Sequence, residues 1–109
     1  MSLPDPIDTE AALDDCLSSA TFLLFKHSFR CPISTRAFDE YRAYLEDGDL
    51  PPTGWIDVVE QRSLSQAVAQ RTGVTHESPQ ALLIEDGKVV WHASHGAITR
   101  ASLRHATKS

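Results

Sequence analysis

The apolar positions change period along the chain, and each change marks an element. Leu13, Cys16, Leu17 and Ala20 recur at i, i+3, i+4 and i+7, the spacing of one buried helical stripe, with Asp8 or Thr9 placed to cap it. This puts Cys16 on the core face of a first helix. Thr21 to Phe25, TFLLF, is a continuous apolar run too short for a helix, and it reads as a central strand covered on both faces. After KHSFR, Cys31 stands immediately before Pro32. Proline is favoured at the first helical position because its missing N–H would be unbonded there anyway, so Cys31 falls at the N-cap. Ile33, Ala37, Tyr41, Tyr44 and Leu45 then share one helical face opposite Asp39, Glu40 and Arg42, up to Gly48 and the Pro51-Pro52 pair.

GWIDVVE, Gly54 to Glu60, is β-branched and aromatic, and reads as a strand parallel to the first across that helix. Ser63 with Gln66 has capping-box spacing ahead of Leu64, Ala67 and Val68, a short helix ending at Gly73. The turn THESP leads into QALLIE, and Asp86-Gly87 joins that strand to KVVWHA as an antiparallel hairpin. Ile98 before Thr99, with Leu103 beyond, forms a hydrophobic staple opening a final helix. The order is αβαβαββα. A parallel βαβ half joined through a helix to an antiparallel hairpin predicts an α/β thioredoxin-like fold, a central mixed four-stranded sheet flanked by helices. It places one such domain at residues 7–107, an extended arm with Pro4 and Pro6 at 1–6, and a tail at 108–109.

Composition narrows what such a domain does. At 109 residues the chain has room for one core, and 41% hydrophobic with 23% charged residues is an ordinary globular balance rather than a disordered one. A formal net charge of −5 argues against a surface that neutralises nucleic-acid phosphates. No apolar run approaches the ~20 residues that span a bilayer, and the acidic start lacks the features of a signal peptide, so no membrane partner and a cytoplasmic location are expected. Two cysteines in a reducing compartment make no disulfide framework. Of the five histidines only His92 and His95 are closely spaced, and there is no CxxC pair, so no metal site is expected.

The chemistry concentrates on Cys31. At a helix start, free N–H groups and the positive dipole end favour thiolate, the nucleophilic form, and Arg30 and a protonated His27 are expected to add to this. Cys16, on an apolar stripe, reads as a core thiol. Three residues beyond Cys31 stands Ser34, where a dithiol oxidoreductase has its second cysteine; serine cannot attack a mixed disulfide, so exchange here is monothiol. Pro79, after Ser78, opens a strand. In a thioredoxin-like fold the proline at this place is cis and lies against the active cysteine.

At these residues the chain resembles the thioredoxin-like monothiol bacilliredoxins, also called YtxJ or bacillithiol-system redox proteins. The resemblance rests on LLFKHS followed by CPIS (Cys31, Pro32, Ile33, Ser34), TGVTHESPQALLI from Thr72, GKVVWHASHGAIT from Gly87, and Leu103. It implies removal of bacillithiol, a low-molecular-weight thiol, from bacillithiolated proteins in bacteria, with bacillithiol as co-substrate and no tightly bound cofactor. On this carry-over Cys31 is the nucleophile, Ser34 replaces the resolving cysteine, and Ser78 and Pro79 shape the substrate groove. Arg30 departs from the small polar residue common in the family. A glutaredoxin using another thiol is the rival, but the Gly-Gly pair and acidic residue that hold glutathione are replaced here by SHGAIT. A thioredoxin-fold binding module with an idle cysteine is a second alternative. A cysteine hydrolase is a third, without a local signature for its base or oxyanion hole.

Overall fold

The computed structural model describes residues 2–108. Helix α1 (Glu10–Leu17) leads into β1 (Thr21–His27), then α2 (Pro32–Leu45), β2 (Thr53–Asp57), α3 (Arg62–Thr72), β3 (Gln80–Glu85), β4 (Lys88–Ser94), a 3₁₀ turn at His95–Ala97 and α4 (Arg100–Thr107). The sheet order is β2-β1-β3-β4. Strands β1 and β2 are parallel, while β3 is antiparallel to both β1 and β4. The expected thioredoxin-like architecture is therefore present.

Because successive side chains on a strand face opposite ways, β1 divides the core in two. Leu23 and Phe25 join Phe38, Tyr41, Tyr44, Ile98 and Leu103 under α2 and α4. Phe22 and Leu24 join Leu13, Leu64, Val68, Leu82 and Ile84 under α1 and α3. Continuing the alternation places Lys26 on the α1/α3 side and His27 on the α2/α4 side. Both are buried, so β1 runs two residues beyond its apolar stretch.

Most predicted boundaries hold, and the departures have local causes. Thr9 caps α1 by accepting from the Ala12 N–H, and Thr99 with Ser102 closes a reciprocal capping box on α4. Asp86 and Gly87 adopt positive φ in the hairpin turn, as a two-residue primed turn requires. The second strand stops at Asp57, because that carboxylate accepts the N–H groups of Val59 and Glu60 and bends the chain out of the sheet. The Ser63/Gln66 capping box does not form: α3 starts two residues earlier, with Gln61 as an N-cap that makes no side-chain bond. Ile33 does not lie on the buried face of α2. It is 52% exposed, and Ser34 and Phe38 occupy the interior instead. The arm folds back on β2, with the Trp55 indole N–H donating to the Pro4 carbonyl and the Ile7 N–H to the Trp55 carbonyl.

Candidate active site

Cys31 occupies the N-cap of α2 with extended backbone (φ −117°, ψ 120°), and Pro32 begins the helix. Its carbonyl accepts from the Thr35 N–H, and its side chain makes no cap bond, so the sulfur is free to react at the positive end of a fourteen-residue helix. The thiol is partly exposed. Phe29 and Ile33, two residues before and after it, are 60% and 52% exposed. An apolar rim of this kind suits contact with a protein surface better than capture of a fully polar ligand.

Beneath this rim the helix start is fixed from inside. Ser34 is wholly buried, its Oγ accepting from the Ser28 N–H at 2.9 Å and lying 2.9 Å from His27 Nδ1. His27 is itself clamped, stacked on Phe38 at a centroid distance of 4.0 Å and met edge-on by Phe29 at 4.2 Å. Burial lowers the pKa of this imidazole, against weaker opposing contributions from Asp57, Ser34 and Asp39. The neutral ring is favoured, which replaces the cation expected of His27 with a hydrogen-bonding role: it holds Ser34 and, through Ser34 and Ser28, the loop that presents Cys31. Arg30 follows that loop, exposed, its N–H donating to Ser28 Oγ at 3.3 Å. The structure gives its guanidinium no ion-pair partner among the described residues.

The Ser78-Pro79 peptide bond is cis. Register places it beside the same end of β1, since Lys26 pairs with Gln80 at the first rung of the β1–β3 ladder. Ser78 Oγ is buried without a hydrogen-bond partner among the described residues. Cys16, by contrast, lies in α1 against the α1/α3 core. Burial, with a smaller effect of Asp15, raises its thiol pKa.

Sequence reasoning passed over two residues near this end of the sheet. Lys26 is completely buried, with its Nζ 3.1 Å from His76 Nδ1. His76 in turn lines a cavity with Val58, Val59, Arg62, Ser65 and Gln66. The available signal was the alternation itself, which carries Lys26 onto the Phe22/Leu24 face once the strand is continued to His27.

Comparison with known proteins agrees with this geometry. The family model described as monothiol bacilliredoxin BrxC matches residues 5–103. A solved structure described as a candidate oxidoreductase with a thioredoxin fold is 32% identical, with a TM-score of 0.85 over 93% of this chain and 90% of that one. A thioredoxin variant from Halobacterium salinarum NRC-1 is 20% identical (TM-score 0.68; 100% of this chain, 97% of that one). Oxidised thioredoxin from Plasmodium falciparum is 13% identical (TM-score 0.73; 96% and 94%). The last two speak to the fold alone.

Proposed function

Since the chain belongs to the monothiol bacilliredoxin family, a group of thioredoxin-fold oxidoreductases, we propose that it removes bacillithiol from protein mixed disulfides using Cys31 as its sole nucleophile. The observation that carries this reading is the pairing of an unencumbered Cys31 at the start of α2 with a buried Ser34 in the resolving position. The Ser34 oxygen is committed to His27 and the Ser28 N–H, and has no chemistry to offer a disulfide.

The reaction is a thiolate–disulfide exchange with no net oxidation. Cys31 Sγ⁻ attacks the bacillithiol sulfur of a protein–S–S–bacillithiol substrate, a new Cys31–S–S–bacillithiol bond forms, and the protein sulfur departs as thiolate and takes a proton from water. A second low-molecular-weight thiolate then attacks the bacillithiol sulfur of the adduct, forming a small-molecule disulfide and releasing Cys31 as thiolate. Phe29 and Ile33 give the substrate protein an apolar seat, and Ser78 and Pro79 border the groove. The cytoplasm, where thiols are kept reduced, is the compartment in which this cycle can turn over.

The test offers a model protein carrying either a bacillithiol or a glutathione adduct and follows release by intact mass. Release from the bacillithiol adduct is expected to be faster, and Cys31→Ser is expected to release neither. Equal release by Cys31→Ser removes the nucleophile from the account, and faster release from the glutathione adduct assigns the protein to the glutathione-using alternative.

A further inference from the structure

The face around Cys31 is charged in the opposite sense to the chain as a whole. The net charge is −5, yet no Asp or Glu occurs between Asp15 and Asp39, and Arg30 and Arg36 stand on either side of Cys31 within that stretch. Both arginines are exposed. The ion pairs among the described residues engage Arg71, Arg100 and Arg104, and none reaches Arg30 or Arg36. Carboxylates approach this end of the sheet without pairing with either one. Asp57 accepts the Val59 and Glu60 N–H groups, and Glu40 accepts the Arg100 N–H. Asp39, on the turn of α2 after Arg36, forms no ion pair with it, and Glu77, just before Ser78, favours the charged form of His76.

The rim that carries these arginines is apolar. Phe29 and Ile33 are two of the four large apolar side chains exposed among the described residues. Ile33 and Arg36, three apart on a helix, are surface neighbours, and Phe29 and Arg30 are consecutive in the loop that Ser28 and Ser34 hold. A surface that mixes exposed aromatic and aliphatic groups with arginine, and omits Asp and Glu, has the composition of a protein contact. A small polar ligand finds little enclosure among side chains spread along an open rim, whereas an extended protein segment laid across Cys31 meets all four. The complement of each unpaired guanidinium is a carboxylate, and the positive end of α2 favours the same sign.

We propose that Arg30 and Arg36 select, among proteins in mixed disulfide with the small thiol, those whose modified cysteine is flanked by Asp or Glu. The inference rests on the function proposed above and names the class of protein substrate it takes. The exchange itself is unchanged: Cys31 forms its disulfide with the small thiol and the protein sulfur leaves as thiolate, while the arginines hold the segment that carries it.

The test uses synthetic peptides with one cysteine joined to bacillithiol, identical except for the two flanking residues, which are both Asp, both Asn or both Lys. Rates are divided by those with 2-mercaptoethanol, a neutral thiol, to remove differences in the reactivity of the disulfides themselves. Wild type at low salt is expected to take the Asp peptide about fivefold faster than the Asn peptide in kcat/KM, the scale of two exposed ion pairs, and to lose most of that margin at about 0.5 M salt. Arg30→Gln and Arg36→Gln are each expected to reduce the ratio to about twofold, and Arg30→Glu combined with Arg36→Glu to favour the Lys peptide. Because each result is a ratio between peptides, a change in Cys31 reactivity cancels. Equal rates for the Asp and Asn peptides in wild type, or a ratio unchanged by the variants, overturn the selection while leaving exchange at Cys31 intact. A second pair, the Asn peptide carrying cysteine or cysteamine, tests the other source of a carboxylate. Preference for the cysteine adduct that the arginine variants abolish, with no preference for Asp over Asn, assigns the arginines to the small thiol and overturns the proposal. Transfer from none of the peptides by wild type fells the exchange reading and the selection with it.

Discussion

Cys16 and Cys31 are both partly exposed, so exposure does not tell the two thiols apart. Position on the helix does. Cys16 lies in the last turn of α1, the negative end of the dipole, beside Asp15 and against apolar side chains. Burial raises the thiol pKa and Asp15 adds to it, and the negative dipole end also disfavours thiolate. Cys31 stands at the opposite end of a helix, next to Arg30, with apolar side chains around it as a rim rather than a cover. On the proposed function, the contrast teaches that two cysteines of similar accessibility are told apart by which end of a helix each one meets.

The largest expected effect is on alkylation. In timed labelling of the native protein at pH 7, peptide mapping should show Cys31 reacting at least about tenfold faster than Cys16, since thiolate is the reacting form. Because the Cys16 pKa is raised, its thiolate fraction is low at neutral pH and grows only as pH climbs past the ordinary thiol range, so the gap should narrow in alkali. Preferential labelling of Cys16 at pH 7 would reverse the comparison.

A smaller effect sharpens the Cys31 side of it. Ser34→Ala leaves the buried Ser28 N–H and His27 Nδ1 without their shared partner, and should lower unfolding free energy in urea by roughly 1–3 kcal/mol. Reaction at Cys31 should slow only modestly, because Ser34 positions the loop and takes no part in bond exchange. A loss of exchange as complete as in Cys31→Ser would instead give Ser34 a direct chemical role.

Much of this was legible in the sequence. The order of elements, the Cys31-Pro32 helix start, the Asp86-Gly87 hairpin and the Thr99 cap with its Ile98/Leu103 staple are local signals, written in residues close together in the chain. What was not legible depends on groups brought together from afar. Ile33 has the spacing of a core residue, but Ser34 is drawn inward by His27 and Ser28 and turns the first helical turn so that Ile33 faces solvent. The Ser63/Gln66 signal lost to the turn that Asp57 organises, which starts α3 earlier. The sequence allows His27 to be a cation, but Phe29 and Phe38 pack against it and keep it buried, and nothing in the sequence joins Lys26 to His76, fifty residues away.

The most direct test of the central claim is to locate the adduct after a single turnover. Protein incubated with one equivalent of a bacillithiolated substrate is quenched in acid, digested without reductant and mapped by mass. The account predicts bacillithiol on the Cys31 peptide, persisting until external thiol is added, with Cys16 unmodified. Bacillithiol on Cys16, or an efficient Cys16–Cys31 disulfide in place of the adduct, would contradict it.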